Sequence, residues 1–253
     1  MTNKTFHNIP SNECLEVYYE IMDNANSKWR SAVLLVESKD YGSAVSLAVI
    51  STEETIKALV IFIDSLGFNF RRIKGMDIIF NHHRLRYALA YIIFAVSLFG
   101  DDLKKLALDI RDNPTKVKIY MDEISDDINL FLKRRLRKYA IRKLIQFRRE
   151  LKWFSKMDVF RQDGFYCDYQ DYLKNPIRIT KENCNELMVR LTKVRETVNS
   201  FCLTLQLEDI NKQLDNLRID FIKKGYYNDI AVSIKNMKIN RSDPFGTLSK
   251  LIE

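Results

Sequence analysis

The feature that most constrains the fold is the stretch from Gly42 to Leu66, closed by Gly67. Val45, Leu47, Val49, Ile50, Ile56, Leu59, Val60, Ile61 and Phe62 fall on nearly every side of a 3.6-residue repeat. A helix apolar all round is stable only when other elements surround it. The remaining chain must therefore supply helices to pack around it, and the pattern does so. Ser11 or Asn12 can cap a helix running to about Ser38, with Leu15, Tyr18, Tyr19, Met22, Trp29, Ala32, Val33 and Val36 as its apolar face, and Asp40-Tyr41-Gly42 reads as the break. A third helix is expected from Met76 to Phe99, stopped by Gly100. An acidic, mixed segment follows to Asp127, interrupted by Pro114, and a fourth long helix from Ser125 to Ser155. Residues 160–179, with Gly164 and Pro176, read as irregular.

Thr180 can cap a further helix. Its positions Leu187, Leu191, Val194, Val198, Phe201 and Leu205 step by 4, 3, 4, 3 and 4. That stripe suits a seam inside a bundle before it suits a coiled coil between chains. Ile210, Leu214, Leu217 and Phe221 repeat the spacing up to Gly225, beyond which the pattern weakens. With 7 Gly and 4 Pro in 253 residues, hairpin-rich folds and Gly-rich phosphate loops are disfavoured. The expected class is an all-α helical bundle, with a main domain over 1–207 and a helical extension and tail over 208–253.

The longest uncharged apolar run, Tyr87 to Phe99, has thirteen residues. A membrane span needs about 20, so no transmembrane segment is expected. The N-terminus carries no apolar secretory core. Cys14, Cys167, Cys184 and Cys202 include no C-x-x-C pair, which leaves no recognisable zinc site and fits reduced thiols in a cytoplasm. No cofactor motif is present.

The formal charge of +8 is concentrated. Lys133 to Lys152 holds ten basic residues against one acid, Glu150, so the rest of the chain is close to neutral. Arg134, Arg135, Arg142 and Arg149 belong to this run. A basic helix face can track phosphates, lie on an anionic membrane, or be a solvated face paired with the acidic segment before it.

Inside the apolar helix sits Ser51-Thr52-Glu53-Glu54-Thr55-Ile56-Lys57. At 100° per residue, Glu54 shares a face with Leu47, Ser51, Ala58 and Ile61, so it is expected to point inward and to need a donor. Glu53 and Lys57 are spaced for an (i, i+4) pair. The next helix opens with Phe80-Asn81-His82-His83-Arg84-Leu85-Arg86, where His82 and Arg86 lie one turn apart. Glu54, Lys57, His82 and Arg86 are thus candidate catalytic residues, the histidine as acid or base and the cations as phosphate holders. The same set can equally be a buried ion-pair network that fixes helix register. Arg161, Tyr166 and Asp168, on the irregular segment, are candidate binding residues expected near that cluster.

Three blocks of this sequence resemble the AbiV family of bacterial abortive-infection proteins. Tyr41-Gly42-Ser43-Ala44 with Glu53-Glu54-Thr55-Ile56-Lys57 is similar to its first signature. Phe80 to Arg86 resembles its second, and Arg161-Gln162-Asp163-Gly164-Phe165-Tyr166-Cys167-Asp168 with Pro176 and Thr180 its third. The resemblance spans about residues 25–205. It implies a HEPN-like helical bundle, a homodimer, and antiphage defence by arrest of growth or translation in infected cells. Many HEPN proteins are metal-independent ribonucleases that use Arg-x(4–6)-His. Here no Arg precedes His7, His82 or His83 at that spacing. Two readings follow: a toxin-like action on RNA through another polar site, or non-enzymatic binding of a phage product or of the translation machinery. A phage-encoded protein as trigger fits either.

Overall fold

The computed structural model describes residues 5–72, 77–112, 126–169, 173–223, 244–246 and 249. Seven helices are found among them: α1 (Cys14–Glu37), α2 (Tyr41–Ser65), α3 (His83–Asp112), α4 (Asp126–Phe154), α5 (Met157–Asp163), α6 (Lys181–Leu205) and α7 (Glu208–Lys223). The fold is all-α. The only sheet among the described residues is a two-residue ladder, Asp168–Tyr169 against Leu173–Lys174, antiparallel.

The sequence pattern dictates the centre. α2 contacts α1, α3, α5 and α6, and Val45, Val49, Ile56, Ile61 and Phe62 are almost fully buried on it. Two apolar clusters divide its length. The first joins its N-terminal half to Tyr87, Phe94, Phe154, Leu187 and Leu191, and the second joins its C-terminal half to Tyr18, Ile21, Ile79 and Val198. The stripe on α6 is spent inside the chain, since Leu187, Leu191, Val194 and Val198 are buried while Phe201 is 45% exposed. Phe245, far beyond the family-like segment, is buried in the first cluster.

Three boundaries differ from the sequence expectation, each for a local reason. A 3-10 turn at Ser11–Glu13 precedes α1, and Ser11 bonds Asn69 instead of capping a helix. α1 ends at Glu37, close to the expected Ser38, and Lys39 follows at φ 66, with the backbone N–H of Asp40 reaching Leu35 and that of Lys39 reaching Val36. That double bond pattern satisfies the last carbonyls of the helix. Asp40 then caps α2 by accepting from the N–H of Ser43 at 3.2 Å. α3 begins seven residues later than expected, after a 3-10 turn at Asp77–Phe80, and runs through Gly100 to Asp112. One helical glycine costs only about 1 kcal/mol. Lys143 and Tyr139 hold Asp102, and Lys193 holds Asp101, just past it. Finally, the stretch expected to be irregular opens with the last turn of α5 and holds a 3-10 turn at Pro176–Arg178, while Thr180 caps α6 as expected.

Gly42 and Gly164 serve close packing. A Cβ on Gly42 would meet Pro176 Cβ at 2.8 Å, and one on Gly164 would run into Ser46 and the carbonyl of Gly42. The first and third signature blocks therefore meet backbone to backbone, and Ser46 Oγ donates to the carbonyl of Arg161 at 2.7 Å. This contact sets α5 beside the N-terminal half of α2.

Candidate functional site

The polar residues of α2 are sorted by one narrow stripe. Ser43, Leu47, Ile50, Glu54 and Lys57, spaced 4, 3, 4 and 3, are half-buried, while most of their neighbours are fully enclosed. Glu54 lies in that half-open stripe and pairs with Lys57 at 2.6 Å. The expectation that Glu54 faces the core, and that Glu53 pairs with Lys57, is corrected here. Glu53 is the enclosed carboxylate, 4% exposed. The helical wheel did not separate them because α2 is packed on almost every side.

Glu53 gathers a cluster. Arg86 Nη2 donates to its Oε2 at 2.8 Å, His83 Nδ1 lies 2.7 Å from the same oxygen, and the Tyr87 hydroxyl donates to Oε1. Arg161 Nε stands 3.9 Å from Oε1 and its guanidinium is held by Asp158 at 2.8 Å. Arg86 also donates to the carbonyls of Ile79 and Phe80, at 2.8 and 3.0 Å, so it fastens the 3-10 turn to α3. Its Nε is the one buried side-chain nitrogen or oxygen without a partner among the described residues.

Spacing explains who joins. His83, Arg86 and Tyr87 occupy positions i, i+3 and i+4 of the first turn of α3, hence one face. Arg86 and Tyr87 are buried, whereas the His83 side chain is 43% exposed. Burial, and then the negative charge of Glu53, push the Tyr87 phenol well above its ordinary value, so it remains a donor. At Arg161 burial acts to lower the pKa, but the Asp158 hydrogen bond and the charge of Glu53 outweigh it and raise it.

The arrangement can move a proton. Arg86 Nη2 lies 2.7 Å from His83 Nδ1, as does Glu53 Oε2. With Nδ1 bare, Arg86 donates to it. With Nδ1 protonated, the ring donates to Glu53 and leaves Nε2 as the base. A buried carboxylate that orients a half-exposed imidazole is the arrangement general acid–base chemistry uses. Arg86 and Arg161 balance Glu53 and Asp158, and His83 adds a positive charge when it accepts a proton.

Of the residues expected at a site, Arg86 and Arg161 join this cluster. His82 is exposed before α3, and Glu54 and Lys57 pair with each other on the half-open stripe. Tyr166 is 66% exposed on the turn after α5, and Asp168 opens the short ladder, its side chain outside the described residues. Arg142 and Arg149 are exposed on α4, while the side chains of Arg134 and Arg135 lie outside the described residues. Sequence reasoning missed Glu53, His83, Tyr87 and Asp158. The i, i+3, i+4 set at the start of α3 was the available signal for His83 and Tyr87. Among the described residues no group of three or more His, Cys, Asp or Glu side chains is placed to hold a metal, and no helix is long and apolar enough to cross a membrane.

A bundle of helices around a buried central helix is an all-α fold that fits a HEPN-like helical bundle. The AbiV family model matches residues 13–196, and the chain belongs to that family. Membership supports a role in bacterial abortive-infection defence. No curated protein and no solved structure matches the chain.

Proposed function

We propose that the protein arrests infected cells by acting on RNA, with His83 as the acid–base group and Glu53 as the residue that orients it. The observation that carries this reading is the 2.7 Å contact between a half-exposed imidazole and a carboxylate that is 4% exposed. RNA carries its own nucleophile, the 2′-hydroxyl. A base that takes its proton lets the 2′-oxygen attack the adjacent phosphorus, and the 5′-oxygen leaves once protonated. Arg161, beside the pair, is placed to meet the phosphate, and the exposed Arg142, Arg149 and Lys152 of α4 offer further backbone contacts. In this reading the protein acts in the cytoplasm.

The test is the chemistry of RNA ends in infected cells. Wild type should leave 2′,3′-cyclic phosphates and His83→Ala should not. Growth arrest by wild type with intact RNA overturns the reading.

A second reading, non-enzymatic binding of a translation component, rests on the exposed basic face of α4. It predicts arrest that is lost on reversing Arg142 and Arg149 to Glu and kept in His83→Ala. A homodimer is part of the proposal. The α6 seam is buried, so a second copy has instead Val189 and Leu203, which share a face of α6 and are 71% and 66% exposed. A phage-encoded protein remains the proposed trigger.

A further inference from the structure

Residues 5–9 fold into a turn that fastens itself. The Thr5 carbonyl accepts from the backbone N–H groups of Asn8 and Ile9, at 3.0 and 3.1 Å, and Asn8 Oδ1 accepts from the N–H of Thr5 at 2.6 Å. Arg71 holds the turn down from below. Its side chain is 5% exposed, its Nε donates to Asp64, and its two Nη atoms donate to the carbonyls of Phe6 and Ile9. The pair is balanced in charge, and its guanidinium is spent on backbone.

The turn carries two rings onto one residue. Phe6 stacks on Phe80 with centroids 5.3 Å apart and planes 8° from parallel, and His7 meets Phe80 edge-on at 5.7 Å. Phe80 ends the 3-10 turn Asp77–Phe80 and is 8% exposed, whereas Phe6 is 39% exposed. The Phe80 carbonyl is one of the two that accept from Arg86 Nη1. The other end of the same guanidinium, Nη2, reaches Glu53 and His83. A guanidinium is planar, with its donors in a rigid fork. Where Nη1 is anchored therefore sets where Nη2 points.

We propose that Phe6 is a positioning residue for His83, acting through Phe80 and Arg86. The proposal rests on the reading of His83 as the acid–base group. Ile79 is fully buried and pins one side of the 3-10 turn, while Phe80, on the other side, is covered in part by Phe6 and His7. Stacked aromatic pairs add attraction beyond the area they bury, so loss of the Phe6 ring loosens the Phe80 side first. A shifted Phe80 carbonyl turns Arg86, and Arg86 then leaves His83 Nδ1. A displacement of about 1 Å at a catalytic group costs about 100-fold in rate. Residues 5–9 precede the segment that the AbiV family model matches, 13–196, so this support comes from outside it.

The test uses the full chain with nitrogen-labelled histidine. The two ring nitrogens of His83, assigned by their loss in His83→Ala, report by nuclear magnetic resonance whether Nδ1 keeps its contacts. Phe6→Ala is expected to move both signals, and to lower the 2′,3′-cyclic phosphate ends in infected cells by up to about 100-fold. Phe6→Tyr keeps the stacked ring and is expected to restore both readouts. A merely structural Phe6 would lower the melting temperature and leave the His83 signals of the folded protein as in wild type, which overturns the proposal. Signals that move in Phe6→Tyr as much as in Phe6→Ala also overturn it. Where Phe6→Ala does not fold, Phe6→Leu, which keeps apolar bulk without a ring, carries the same expectation and the same refutation. The two readings separate cleanly. Moved His83 signals, with intact RNA in cells arrested by wild type, uphold the positioning role and overturn the RNA reading. Unmoved signals, with cyclic ends present, do the reverse.

Discussion

Two buried arginines in this bundle sit in opposite surroundings. Arg86, 3% exposed, faces the carboxylate of Glu53 and through His83 reaches solvent. Arg195, 6% exposed, donates to Ser51 Oγ at 2.6 Å, Thr55 Oγ1 at 2.8 Å and Asn26 Oδ1 at 2.7 Å, and lies over the Trp29 ring at 4.8 Å. Its partners are neutral. Burial alone lowers its pKa to about 10. The Arg195 group ties α1, α2 and α6 by geometry, with no acid or base among the partners it holds and no titration near neutral pH. The Glu53 group holds charges of both signs and one imidazole open to water. A network that only fixes packing gains nothing from that opening, whereas a proton-transfer site requires it.

The difference predicts unequal responses to mutation. Glu53→Gln leaves Arg86 buried without its counter-charge, so it should cost about 3–5 kcal/mol, read as a lowered urea midpoint. Gly164→Ala forces α5 away from Ser46 and Gly42, and overpacking of this kind costs about 1–3 kcal/mol. Arg195→Met removes the cation and leaves only neutral groups seeking partners, about 1–3 kcal/mol. It should cost less than Glu53→Gln in the same denaturation series, and equal losses would erase the comparison. His83→Ala changes a half-exposed side chain and should shift stability by less than about 0.5 kcal/mol, measured by the same unfolding curve.

Much of this fold was legible in the sequence, because the all-apolar helix and the α6 stripe are periodic signals. The central position of α2, the α6 seam and the Thr180 cap follow from residue spacing and local hydrogen bonding. The end of α3 did not follow, since tertiary ion pairs at Asp101 and Asp102 outweigh the weak breaking effect of Gly100. The site was legible in its blocks but not in its members. Glu53 and Glu54 are adjacent, and only the packing of α2 on nearly all sides decides which is enclosed. His82 and His83 are likewise adjacent, and the late start of α3 puts the second, not the first, on the face of Arg86 and Tyr87. Arg161 was within reach of sequence reasoning because its block carries Gly164. The contact of Gly164 with Gly42 is what brings α5 to the site.

The most direct measurement is phage protection by His83→Ala beside its thermal unfolding and its RNA. The account predicts a variant that melts with wild type, leaves cellular RNA intact and no longer protects. A His83→Ala protein that melts with wild type and protects fully would contradict it.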